Sequence, residues 1–83
     1  MKKILERTLN AIGLGVNAVA PNATAFCNLI IAKNIFGNDA KVSVVTEDYG
    51  KSFIISVTID DDAILIQYTL SNCRVTSVEI EEN

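Results

Sequence analysis

The second half of the chain alternates between apolar and polar residues, and no other feature limits the fold as strongly. From Lys41 onward the apolar residues recur with a period of two, which is typical of strands that bury one face. Turn-forming residues interrupt the alternation at three places: Glu47–Gly50, Asp60–Asp62 and Ser71–Asn72. We therefore predict a meander of four antiparallel strands.

The length of each turn decides which residues of neighbouring strands face one another. A loop of even length at the aspartates keeps the apolar residues of the second and third strands on one face, and sets Ile59 opposite Ile64. By the same argument, a turn at Ser71–Asn72 sets Leu70 opposite Cys73. The alternation thus predicts a single apolar face that is shared by neighbouring strands.

The alternation breaks in the fourth strand. If it continued unchanged, Ser77 and Glu79 would point toward the core, and Val78 and Ile80 would point to solvent. One extra residue in the strand reverses this assignment, because a β-bulge shifts all later side chains to the opposite face. We predict a bulge near Thr76–Ser77 that returns Val78 and Ile80 to the core.

Two helical patterns precede the strands. Residues 3–12 predict a short helix, and Asn22 is placed to cap a longer helix that ends at Phe36. A broad apolar stripe on the longer helix predicts that it lies against the sheet. The stripe consists of Ala25, Leu29, Ala32 and Phe36, and is widened by Phe26 and Ile30.

The order of these elements predicts the fold class. We expect a single α+β domain over residues 1–83, in which two N-terminal helices, one short and one long, pack on one face of a four-stranded antiparallel meander sheet. A chain of 83 residues is near the lower size limit for unaided folding, so a second copy or another partner would add stability. A homodimer is therefore among our expectations.

The composition excludes several classes of function. The chain has no histidine, which removes Ser-His-Asp and Cys-His catalysis and imidazole metal ligands. Its net charge is −3, and most of the acidic residues lie in the second half of the chain. Because an acidic surface repels phosphate groups, we expect no direct binding of nucleic acid.

The apolar segments also bear on location. No run approaches the roughly 18 apolar residues of a membrane span, and Glu6 and Arg7 interrupt the apolar start, which argues against a signal peptide. Two isolated cysteines, Cys27 and Cys73, are not a dense disulfide framework, so we expect a reducing compartment and a cytoplasmic protein. The alternative is a small secreted protein with a Cys27–Cys73 disulfide.

Three consecutive aspartates, Asp60, Asp61 and Asp62, are the group that most resembles a metal or acid–base site. They lack the alternating ligands, the central glycine and the distal glutamate of an EF-hand loop. Aspartate favours turns because its side chain bonds nearby backbone groups, and a loop between strands rarely desolvates a carboxylate. We predict a hairpin turn. Metal-dependent or carboxylate-based activity at this loop is the alternative.

The outer face of the sheet, away from the helices, is the leading candidate for a binding site. The register puts Val45 opposite Ile54, with Leu65 on the next strand. A face that only contacts solvent does not need a cluster of apolar residues, so the cluster indicates a contact surface. Tyr49, in a two-residue turn with Gly50, could anchor a partner. We expect a small non-enzymatic protein–protein interaction module, an inhibitor, adaptor or immunity-type protein that binds a larger protein without a metal or cofactor. The predicted contact residues are Val45, Tyr49, Ile54 and Leu65.

Overall fold

Two helices precede a four-stranded antiparallel sheet in the computed structural model, which describes residues 2–82. The helices have similar lengths of 10 and 11 residues. The strands lie in the sheet in the same order as in the chain, so the predicted α+β meander is confirmed. The elements are α1 (Lys2–Ala11), α2 (Ala23–Lys33), β1 (Lys41–Glu47), β2 (Ser52–Ile59), β3 (Asp62–Ser71) and β4 (Arg74–Glu82).

Helix α2 begins where the sequence predicts and ends earlier. The side-chain oxygen of Asn22 accepts a hydrogen bond of 2.7 Å from the backbone N–H of Ala25, which confirms the N-cap. The helix ends at Lys33 because Asn34 adopts a left-handed conformation, with φ 50° and ψ 45°. The predicted end at Phe36 is therefore wrong.

The face that α2 turns to the sheet differs from the predicted stripe. Ala25, Leu29 and Ala32 of that stripe are exposed. The helix is apolar on nearly all sides, so its pattern alone did not select one face. The residues that it buries have the helical spacing of a single face, and are Ala23, Phe26, Cys27 and Ile30.

The β2–β3 hairpin has a loop of two residues, Asp60 and Asp61, and pairs Ile59 with Asp62 and Val57 with Ile64. The prediction of an even loop is confirmed, but the pairing of Ile59 with Ile64 is wrong by two positions. A shift of two leaves every side chain on its predicted face, because the pleat repeats every two residues.

The β3–β4 turn lies one residue later than predicted. Asn72 and Cys73 form it in left-handed conformations, with φ 53° and 64°, as a tight hairpin turn requires. Leu70 consequently pairs with Val75, and the predicted pairing of Leu70 with Cys73 is wrong. Cys73 is exposed at the turn instead of facing the core.

The predicted bulge in β4 is confirmed. The register shifts between Thr69 and Leu70, so Thr76 is the extra residue, and its hydroxyl donates a hydrogen bond of 3.1 Å to the carbonyl oxygen of Thr69. After the shift, Ile80 is buried and Val78 packs against the core. The bulge therefore places these two apolar residues on the helix side of the sheet.

The segment between the helices pairs with β4. The N–H of Asn17 donates to the oxygen of Val75, and the N–H of Val75 donates to the oxygen of Ala18, both at 2.9 Å. The N–H of Ala20 donates to the oxygen of Cys73 at 2.7 Å. Part of the open side of β4 is therefore covered by backbone pairing that the sequence did not predict.

Three aromatic rings join α2 to the sheet. The ring centroid of Phe26 lies 4.7 Å from that of Tyr68 and 5.6 Å from that of Phe53, both with edge-to-face geometry. Phe53 and Tyr68, which pair across β2 and β3, lie 5.3 Å apart. We call these three residues the aromatic cluster. Such contacts stabilise a core beyond the burial of apolar area alone.

The hydroxyl of Tyr68 is buried and has no hydrogen-bond partner among the described residues. An unpaired buried hydroxyl is unfavourable, because it gives up its hydrogen bonds to water. We expect Tyr68→Phe to raise the free energy of unfolding by about 1–2 kcal/mol. Urea denaturation followed by circular dichroism would measure this gain.

The same substitution should change how stability depends on pH. Burial raises the pKa of the Tyr68 phenol, so the native state keeps this proton at a pH where the unfolded chain, with a pKa of about 10, releases it. Native stability therefore falls as pH rises above about 10. Tyr68→Phe removes this loss, so its advantage over wild type should grow with pH. If Tyr68→Phe had a lower free energy of unfolding than wild type, the Tyr68 hydroxyl would not be unpaired in the native state and the prediction would be wrong.

Candidate functional site

The outer face of the sheet brings together three of the predicted contact residues. Val45 pairs with Ile54 as predicted, and Leu65 lies one strand further on, opposite Ser56. Val45 is 57% exposed, whereas Ile54 and Leu65 are half-buried. We call Val45, Ile54 and Leu65 the outer-face patch.

A shallow depression of about 400 Å³ lies next to this patch. Ile54 and Leu65 form part of its lining, while Val45 lies outside it. Gln67 in the same lining donates a hydrogen bond of 3.4 Å to the hydroxyl of Ser52, which orients its amide. The lining residues are Lys2, Ile54, Leu65, Gln67, Glu79, Ile80 and Glu81.

The charges around the depression are mixed. Glu79 and Glu81 lie opposite Gln67 and Leu65 on β4 and are exposed, and Lys2 comes from the start of α1. The apolar residues are thus bordered by two carboxylates and one ammonium group. An apolar centre with a charged border is the usual anatomy of a protein-binding surface.

Tyr49 is fully exposed and lies apart from the depression. The connection between β1 and β2 has four residues, Asp48–Lys51, where the sequence predicted two, but Val44 still pairs with Ile55. Asp48, Tyr49 and Gly50 all have positive φ, of 51°, 55° and 86°. This turn presents the Tyr49 ring to solvent. The structure therefore does not join Tyr49 to the outer-face patch in one site.

The aspartates occupy a turn. Asp60 and Asp61 form the β2–β3 loop, Asp60 with φ 54°, and Asp62 is the first residue of β3. All three are exposed. Over residues 2–82, no three Asp, Glu, Cys or His side chains come close enough to hold a metal ion.

The two cysteines are free and differ in environment. Cys27 is buried on α2, and Cys73 is exposed in the β3–β4 turn. The structure therefore does not contain the Cys27–Cys73 disulfide of the secreted alternative. Burial raises the pKa of the Cys27 thiol, which keeps it protonated and unreactive.

A second concavity, which the sequence did not predict, lies on the helix side of the sheet. It is a mainly apolar groove of about 340 Å³ between the start of α1 and the segment after α2. Ile4 on its border is 67% exposed. The adjacent apolar residues Ile4 and Leu5 could have indicated this groove. Consecutive residues of a helix point in different directions, so one of the two is usually left outside the core. The lining is Ile4, Leu5, Thr8, Ile35, Phe36, Ile59, Ile64 and Glu82.

Comparison with known proteins returns no matching family model, no matching curated protein and no matching solved structure. Neither helix in the described part of the chain is long and apolar enough to cross a membrane.

Proposed function

We propose that this chain is a small non-enzymatic protein-interaction module that binds a larger protein partner through the outer-face patch, as an inhibitor, adaptor or immunity-type protein does. The observation that carries the proposal is the placement of Ile54 and Leu65 in a depression on the face away from the helices. Their side chains contribute nothing to the core beneath α2, so their apolar character is available for a contact.

The charge of the chain supports a basic partner surface. The net charge is −3, and Glu79 and Glu81 border the depression. Complementary charge accelerates association and selects the partner, while the apolar centre contributes most of the affinity. We expect the complex to weaken as the salt concentration rises, because exposed charges are screened.

The free thiols of Cys27 and Cys73 support a reducing compartment, and we propose a cytoplasmic location on this ground. We also propose that the module can form a homodimer. A dimer joined at a strand edge would leave the outer-face patch free, because edge pairing uses backbone groups and leaves the sheet faces open.

The proposal predicts which substitutions abolish partner binding. Proteins that the immobilised wild-type chain captures from cells of its source would be identified by mass spectrometry and prepared for binding measurements. We expect Ile54→Glu to weaken the binary complex at least about 100-fold, because a charge would be buried at the centre of the contact.

Two matched variants test the specificity of this effect. Thr24→Glu adds the same charge at an exposed position of α2 and should leave binding unchanged. Ile4→Glu places the charge in the groove between the start of α1 and the segment after α2. If Ile4→Glu abolished binding and Ile54→Glu did not, the groove would be the site and the outer-face proposal would be wrong.

A further inference from the structure

The two edges of the sheet differ in their protection. Residues 17–20 pair with the start of β4, and α1 also contacts that strand. Within the described part of the chain, no backbone hydrogen bond other than those of the β2 ladder reaches β1. In an antiparallel strand, every second residue turns its N–H and C=O away from the neighbouring strand. Strand β1 therefore presents an open row of donors and acceptors, which we call the β1 edge.

Edge strands in proteins are usually protected against pairing by proline, a bulge, or a charge that points toward the core side. Strand β1 contains no proline, and its seven pairs with β2 show no register shift. Its core-side residues, Val42, Val44 and Thr46, are uncharged. The charged residues are Lys41 and Glu47, one at each end of the strand. The β1 edge is therefore competent to pair with another strand.

We propose that the β1 edge pairs antiparallel with the β1 edge of a second copy, about a two-fold axis at Val44, to form a homodimer with one continuous sheet. Val44 is the central residue of the seven in β1. Pairing about Val44 sets Lys41 of each copy opposite Glu47 of the other, which gives two ion pairs across the interface. Within its own chain, Lys41 faces Thr58 and Glu47 faces Ser52, which are uncharged.

This register also matches the faces of the two sheets. An antiparallel pair keeps core-side residues opposite core-side residues when the two residue numbers have the same parity. Pairing about Val44 meets this condition, because Val42 lies opposite Thr46 and Ser43 lies opposite Val45. It also engages all residues of β1, whereas any shifted register leaves both charged ends unmatched. A strand from another protein need not carry charges that match Lys41 and Glu47 of β1. The self-complementarity of β1 therefore favours a second copy as the partner.

The dimer also brings Tyr49 close to the second copy. A depression of about 280 Å³ lies where the chain enters β1. Tyr49 lies in the turn directly after Glu47, so pairing of Glu47 with Lys41 of the second copy brings this exposed turn to the end of β1 where the chain of that copy enters the strand. The residues that line the depression include Ile31, Phe36, Ala40 and Val42. Two such rings would add apolar contact at both ends of the interface.

A charge swap tests the proposal. Sedimentation equilibrium at low ionic strength should show a wild-type homodimer. We expect Lys41→Glu and Glu47→Lys each to raise the dissociation constant on the order of tenfold, because each creates two pairs of like charge. The double variant Lys41→Glu with Glu47→Lys restores both pairs with reversed polarity, and should return the constant to near the wild-type value. Lys3→Glu, which reverses an exposed charge on α1, away from the β1 edge, should have little effect.

A cross-link tests the position of the axis. Val44 is the one residue that lies opposite itself, at a Cα separation of about 4.5–5.5 Å that a disulfide can span. In a Cys73→Ser background, Val44→Cys should form a covalent dimer with oxidised glutathione, whereas Ser43→Cys should form far less. A monomeric wild-type chain, no recovery in the charge-swap variant, or equal cross-linking at both positions would overturn the proposal. None of these outcomes depends on binding to the outer-face patch.

Discussion

Replacing Phe26 with alanine is expected to lower the free energy of unfolding by about 3–5 kcal/mol. The ring is 2% exposed and makes edge-to-face contacts with both other members of the aromatic cluster. Its loss leaves a cavity between helix and sheet that neither Phe53 nor Tyr68 can fill without leaving its place in a strand. A domain of this size has about 4–12 kcal/mol of stability, so the variant should be marginally folded.

Urea denaturation followed by circular dichroism would measure the loss. The matched control is Leu29→Ala, on the same helix, because the sequence predicted Leu29 in the stripe that faces the sheet, whereas the structure leaves it 39% exposed. We expect this control to cost about 1 kcal/mol or less. If Leu29→Ala were the more destabilising change, the observed orientation of α2 would be wrong.

Deletion of Thr76 should leave the domain folded, whereas deletion of Gln67 should unfold it. Thr76 is the extra residue of the bulge, so its removal joins Val75 to Ser77 in regular alternation and retains the pairing of Tyr68 with Val78. We expect a cost of about 1–2 kcal/mol, which includes the lost hydrogen bond to Thr69.

Gln67 lies in the middle of β3, where no extra residue is present. Its deletion shifts one half of the strand by one position and turns buried side chains such as Ile66 to the outer face. Circular dichroism and a thermal transition would distinguish the two deletions. Equal damage by both deletions would contradict the assignment of Thr76 as the bulge residue.

Much of the sheet was predictable because the strand pleat repeats every two residues. The even loop at the aspartates and the bulge in β4 both followed from keeping apolar residues on one face, and the structure confirms both. The pattern cannot distinguish registers that differ by two, since these share the same faces. The β2–β3 turn therefore lies one residue earlier than the pairing of Ile59 with Ile64 requires.

The candidate site was predictable only in part. Val45 and Ile54 are neighbours because they pair across one hairpin, which local alternation specifies. The depression also includes Lys2 and Glu81, which lie at opposite ends of the chain and meet only in the folded domain. Tyr49 lies elsewhere because the β1–β2 turn presents its ring to solvent at the end of the hairpin. The groove between the helices likewise depends on where α1 and the segment after α2 come to lie.

The sequence by itself determined the four strands, the segments in which the chain turns between them, the cap at Asn22 and the bulge, because each depends on residues close together in the chain. Only the tertiary structure decided the orientation of α2, the pairing of residues 17–20 with β4, and the open edge of β1. An almost uniformly apolar helix can turn several faces to a sheet at similar cost, so contacts with distant residues such as Phe53 and Tyr68 select one of them.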